Sequence, residues 1–409
     1  MLYKPDLEQV VARHRRLWSR QLPNGILAIL DVEDAPWDPY NLPPGFRSSE
    51  MDPLAQSPDI ERMFQAWDLC FARRRELRDD SVPVARMGLG GYEFGGMLGG
   101  ELVFSGSGAP WLARPLLSRW DALDALRLDE QNPWYRHRLD MCRYFARNAR
   151  GKFGCSEADN FTSLNLVELL RGSQVYLDLI DDPDACRQAM VRGVEWAEKL
   201  IRVQRAELGD ARVYDGGSFH NFCIWLPGDA AWFSMDSYGQ CRPGLYPRMG
   251  QEFDQALIDR LGGGWIHMHS NGLHILPDIM GLRGLRGLEI WSDPPPAPAP
   301  FAKLDAIRLI TGDVPLMIHC ELEEFERGLR DDTLPGGIIY QVDNVASVDA
   351  GNALMAKVRA YRAGPASEPV GTTFNGMARR KGGERTRSAV SIVEALAPPT
   401  VRERQRFPR

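Results

Sequence analysis

The chain has 409 residues, of which 44% are apolar and 25% charged, and a formal net charge of −6 at pH 7. This composition excludes general disorder and leaves ample chain for a large core, while the acidic balance gives no electrostatic reason to expect nucleic-acid binding. The seven cysteines include no CxxC pair, and Met1–Arg20 is too charged for a signal peptide. With no apolar run near the ~20 residues of a membrane span, a cytoplasmic protein with free thiols is expected.

In chain order, residues 5–20 read as a helix with a basic face, followed by Pro23-Asn24-Gly25 and the strand-like run Ile26–Val32. A Pro- and Asp-rich loop and a helix from about Ile60 to Leu77 follow, so residues 1–80 are expected to form an N-terminal helical extension. From Val82 a short apolar run, a polar loop and an amphipathic helix recur. The expected strands are Val82–Met87, Gly151–Cys155, Ala211–Asp215, Trp232–Asp236, Trp265–His269, Gly287–Trp291, Pro315–Cys320 and Gly337–Val342. Helices are expected around 134–149, 184–207, 248–261, 301–310, 322–330 and 347–362. Eight strands alternating with helices predict an α/β fold of the (β/α)8 TIM-barrel type over residues 81–362. The glycine-rich segment from Met87 to Gly108 lacks the lysine and setting of a phosphate loop and reads as a loop excursion. Residues 363–409 form a tail with a basic cluster at Arg379, Arg380, Lys381, Arg385 and Arg387, read as a mobile or subunit-contact arm or as an anion-binding element.

A barrel places its chemistry at the C-terminal ends of its strands. The run Trp265-Ile266-His267-Met268-His269 therefore stands out, because alternation turns both imidazoles to one face. Glu289 on the next expected strand completes a two-histidine, one-carboxylate set suited to zinc or a related divalent ion, with Cys320 as a further candidate ligand. The bland alternative is a pair of neutral, hydrogen-bonded histidines. His319 and Asp236 are candidate proton-handling groups. Asp236 could equally cap a turn, and only one of His319 and Cys320 can face the mouth while the strand lasts. Arg86, His220, Trp232 and Asp343 are candidate substrate-binding residues: the guanidinium suits a carboxylate, the indole an apolar or flat surface.

The pattern from about residue 80 to 362 resembles the uroporphyrinogen decarboxylase superfamily, which includes zinc-dependent, corrinoid-linked methyltransferases. The resemblance is carried by Asn165-Leu166-Val167-Glu168-Leu169-Leu170-Arg171-Gly172 with Asp182-Pro183, by Trp232–Asp236, by Trp265–Gly272, and by Gly337–Met355 with Asp349, Asn352 and Ala353. Where those methyltransferases carry His-x-Cys and a later cysteine, this chain has His267-x-His269 and approximately Val342. Cobalamin-independent methionine synthases are similar in placing a carboxylate where Glu289 stands and a histidine where His319 stands. The Arg-Gln-Ala-Gly-Arg-Tyr-type run of true uroporphyrinogen decarboxylases is absent, so porphyrinogen decarboxylation is not expected.

The resemblance implies a metal-dependent, methyltransferase-like enzyme acting on a small molecule, with a corrinoid protein as possible partner and a homo-oligomer as possible assembly. A metal-free decarboxylase or lyase using the same histidines as proton donors is the first alternative. A non-catalytic ligand-binding protein is the second.

Overall fold

A computed structural model describes residues 1–39, 59–104, 110–158 and 163–364. The expected basic tail, apart from its first two residues, lies outside the described residues, as does Asp159.

In chain order the strands are β1 Leu27–Val32, β2 Val84–Arg86, β3 Leu102–Val103, β4 Trp111–Leu112, β5 Gly154–Ser156, β6 Val213–Tyr214, β7 Gly217–His220, β8 Ile224–Pro227, β9 Ala231–Ser234, β10 Gly264–His269, β11 Leu285–Trp291, β12 Leu316–Glu321 and β13 Ile338–Val345. Six of them form one wholly parallel sheet in the order β1-β13-β12-β11-β10-β9. β2 and β5 form a separate two-stranded parallel sheet, β3 and β4 an antiparallel pair, and β6-β7-β8 a three-stranded antiparallel sheet. The fold is α/β with a parallel central sheet. Helices span Pro133–Asn148, Pro183–Leu208, Gln251–Leu261, Leu304–Thr311, Leu322–Arg330 and Val348–Ala360, close to the expected ranges.

Local chemistry sets several of these boundaries. Asn132 accepts from the Trp134 backbone N–H at 2.8 Å with Pro133 at the first helical position, and Gly262 ends the helix Gln251–Leu261 in the left-handed region, at a φ of 88°.

Two expectations change. The run at 26–32, assigned above to an N-terminal extension, is a strand of the central sheet: Leu27 to Leu30 pair in parallel with Ile339 to Val342. Apart from Asp31 near its end, its apolar composition is that of a strand covered on both faces. Conversely, Ala211–Asp215 is not a strand of the parallel sheet. Asp215 and Gly216, at φ values of 50° and 76°, make a two-residue hairpin turn that folds β6 back onto β7.

Alternation divides the central sheet. One face presents Ala28, Leu30, Phe233, Ile266, Met268, Leu288, Ile290, Leu316, Ile318, Tyr340 and Val342 to the helices. The other carries Leu27, Ile29, Trp232, Trp265, Met317 and Ile339, packed against Phe222, Cys223, Ile224 and Leu226 from the turn and strand β8 and against Leu17 of the helix Leu7–Trp18. At the N-terminal end of the strands, Trp18 meets Trp265 edge-on at 5.4 Å, so that end is sealed by apolar contact. Polar groups begin one layer further along the same face, with Gln341, His319, Glu289, His267 and Ser234, and continue toward the strand ends with Asp31, Asp343, His269 and Asp236, beside the ring of Trp291.

Candidate metal centre

Strand β10 delivers both histidines to the face that carries Trp232 and Trp265, where register sets His267 beside Glu289 on β11 and Ser234 on β9. Glu289 is fully buried between two imidazoles. His267 Nδ1 is hydrogen-bonded to its Oε2, and His319 Nε2 lies 2.6 Å from its Oε1. Burial opposes ionisation of this carboxyl, but the flanking His267 and His319 outweigh it and bring its pKa down to about 2. His269 has the same arrangement with a different partner, its Nδ1 lying 2.7 Å from Asp293 Oδ1. Asp293 is itself fixed by the Asn271 backbone N–H at 3.0 Å and, through its own N–H, by Ser270 Oγ at 3.1 Å.

A carboxylate at Nδ1 keeps the proton on that nitrogen and leaves the Nε2 lone pair available. Both Nε2 atoms turn toward one oxygen, Asp236 Oδ1, at 3.5 Å from His267 and 3.6 Å from His269. That oxygen is buried and has no hydrogen-bond partner. The ligand atoms of Asp236, His267 and His269 all lie within 4.8 Å of one another, as two imidazoles and one carboxylate around a divalent ion require. An orphaned carboxylate oxygen facing two backed imidazoles fits a bound cation.

The set differs from the expected one. Asp236 takes the carboxylate place, and Glu289 stands behind His267 as its orienting partner. Cys320 points to the helix-covered face, where its thiol donates to Gln341 O at 3.6 Å and burial holds its pKa well above the ordinary value. It does not join the group; of the two neighbours, His319 faces the site. Trp232 borders it, with its ring 5.6 Å from that of His267, while Phe222 stacks on the same imidazole at 5.4 Å and 18°. Trp291 lies 3.9 Å from the His319 ring.

Asp343 sits at the end of β13 beside Asp31 of β1. Burial pushes each carboxyl up to about 6, and the Asp343 charge adds to the effect on Asp31. Arg86 is paired with the buried Asp38, 3.5 Å away. His220 lies elsewhere: it contacts Ser218 Oγ at 3.2 Å, and burial lowers its pKa to about 4 against the opposing field of Glu157.

Sequence reasoning did not find Asp293, Asp31 or Phe222. The signal for the first two was present, because continuing the alternation of Glu289 and Trp291 reaches Asp293, and continuing that of Leu27 and Ile29 reaches Asp31. No protein-family model and no curated protein matches this sequence. Among the described residues, no helix is long and apolar enough to cross a membrane.

Proposed function

We propose that this chain is a divalent-metal-dependent enzyme of the methyl-transfer type that acts on a small molecule, with Asp236, His267 and His269 as the protein ligands. The single observation that carries the reading is the convergence of two carboxylate-backed imidazoles on the unpartnered Asp236 Oδ1. The two parallel sheets are read as parts of one (β/α)8 barrel. Support comes from the parallel pairing of the first strand with the last and from the Asp80 N–H bond to Ala28 O at 2.8 Å, which leads the chain from β1 toward β2.

Zinc, or a related divalent ion, would supply Lewis acidity at this point, favouring the anionic form of a substrate oxygen or sulfur. The chain's own residues would do the rest. Glu289 and Asp293 orient the two imidazoles, and His319, joined to the same Glu289, stands ready to exchange a proton with substrate. Trp232, Phe222 and Trp291 offer apolar surface against which a small substrate can exclude water. A corrinoid protein is the methyl donor that fits the superfamily resemblance.

A second reading, a metal-free decarboxylase or lyase, draws on Asp31 and Asp343. With pKa values near 6 these carboxyls are partly protonated close to neutrality and could return a proton to a carbanion. Elemental analysis separates the two readings. Protein expressed in metal-replete medium is expected to carry one equivalent of divalent metal, lost in His267→Ala, His269→Ala and Asp236→Asn. A metal-free parent chain, with no change among the variants, would sink the metal reading and favour the second.

A further inference from the structure

We infer that Asn165 is the positioning residue that turns Asp236 toward the metal; the inference rests on the metal reading above. Asn165 lies in the first turn of the helix Ser163–Arg171 and is 6% exposed. Its two amide ends have different partners. The side-chain Oδ1 accepts from the Ser237 backbone N–H at 3.0 Å, while Nδ2 donates to Asp236 Oδ2 and to Ser234 Oγ, each at 3.3 Å. The orientation of the amide follows from chemistry, since a backbone N–H can only donate and a carboxylate can only accept.

The Ser234 hydroxyl also donates to Asp236 Oδ2. One oxygen of Asp236 thus receives both donors, and the other receives none and faces the two imidazoles. Two bonds on Oδ2 fix the rotation of the carboxylate, so Oδ1 stays directed at the metal position whether or not an ion is there. Without them Asp236, whose side chain is 43% exposed, is free to swing into solvent.

The helix that carries Asn165 is tied to the turn after β9 at two further points: the Ser163 hydroxyl is hydrogen-bonded to the Tyr238 hydroxyl at 2.9 Å, and Glu168 accepts from the Ser237 hydroxyl. Ser163 is also held from the helix Gln251–Leu261, where Asp254 accepts from its backbone N–H at 2.9 Å and from its hydroxyl at 3.3 Å. Asn165 is the member that touches the carboxylate.

The test uses the full chain with Co2+ as probe, following affinity and the visible absorption of the bound ion. Asn165→Asp retains the acceptor for the Ser237 N–H but replaces the donor with a second acidic oxygen, so it separates aiming from packing. The parent chain is expected to bind one Co2+, with affinity falling roughly 10–100-fold in Asn165→Asp and Asn165→Ala and a changed absorption band. Ser234→Ala removes the second donor to Asp236 Oδ2 and one bond from Asn165 but keeps the Asn165–Ser237 and Glu168–Ser237 bonds. It is expected to show a smaller loss in the same direction, and an unchanged affinity there, should the Asn165 variants fail to fold, would overturn the aiming of Asp236 through Oδ2. Folded variants that bind Co2+ with the parent affinity and spectrum would overturn the role of Asn165 while leaving the metal site standing. A parent chain that takes up no Co2+ would overturn the metal reading and this inference with it.

Discussion

Two acidic clusters in this protein are built on opposite plans. Asp79 and Asp80 are wholly buried, and every oxygen is engaged. Asp79 meets Lys4 Nζ at 3.1 Å, Arg74 Nη2 at 2.8 Å and Ser81 Oγ at 2.6 Å, while Asp80 meets Arg13 Nε at 2.6 Å and Arg359 Nη1 at 2.8 Å. Backbone N–H groups of Leu30 and Ala28 complete the pairings. One residue beyond Leu30 on the same strand, Asp31 Oδ1 is buried without a hydrogen-bond partner, as is Asp236 Oδ1 across the site. A buried carboxylate whose bonds are all made holds structure together, and one left unmade carries a cost that a bound ion or proton can offset. The first cluster joins the N-terminal helix, β1 and the last helix; the second is the candidate site.

Breaking the satisfied cluster is expected to have the largest effect. Asp79→Ala strips the buried Lys4 and Arg74 of their shared carboxylate, leaving Lys4 only Asp6 at 3.8 Å, and should cost about 3–5 kcal/mol of stability in denaturant unfolding. Its pH dependence has a definite sign. Burial resists ionisation of Asp79, but Lys4 and Arg74 bring its pKa down to about 2, below the unfolded value near 4. The stabilisation is therefore complete above about pH 4–5 and is lost as pH falls toward 2, a loss that Asp79→Ala should abolish.

Glu289→Gln probes the boundary between the two plans, since this carboxylate is paired yet serves the site. Metal affinity is expected to fall roughly 10–100-fold, measured by competition with a chelating dye, because the uncharged amide offers one acceptor oxygen where the carboxylate offers one to each of His267 and His319. Unchanged affinity would remove Glu289 from the supporting shell.

Asp31→Asn tests the unsatisfied side and should act with the opposite sign. A folded-state pKa raised to about 6 means that folding favours the protonated carboxyl, so its contribution is present below about pH 4 and is lost as pH rises through 6. The amide cannot ionise, and the variant should exceed the parent in stability by about 1–2 kcal/mol at pH 8 and converge with it near pH 4. Cys320→Ala should matter least, with metal content unchanged and a loss of about 1 kcal/mol from the small cavity.

Much of the central sheet was legible because alternation and apolar runs are local signals. Trp265–His269 and Pro315–Cys320 fall within a residue or so of β10 and β12. The place of Ile26–Val32 was not legible, because its partner strand begins more than 300 residues later and nothing local reports that distance. The histidine pair was found for the same reason as the strands, and the choice between Glu289 and Asp236 as ligand was not. Glu289 lies on one strand flanking β10 and Asp236 just beyond the end of the other, and only the depth of each along that direction decides. Register puts Glu289 level with His267 and against its Nδ1, whereas Asp236, just past the end of β9, reaches the Nε2 side. The Asp79–Asp80 network stayed hidden because its partners, Lys4, Arg13 and Arg359, are scattered over nearly the whole described chain.

The turn that joins β7 to β8 sets a limit on what this site can hold. Phe222 and Cys223 both adopt left-handed backbone angles, with φ values of 61° and 55°, a conformation costing about 1–2 kcal/mol for each side chain that is not glycine. The strained turn puts the Phe222 ring under His267 and within 6.5 Å of Trp291, above a layer of packed apolar residues. On the proposed function Phe222 would act as a depth stop. A longer substrate would gain no room beneath the imidazoles and would extend outward, past Trp291 and the Asp31–Asp343 pair, so the reach of the molecule toward solvent, more than its girth at the bottom, should decide which homologous compounds are accepted.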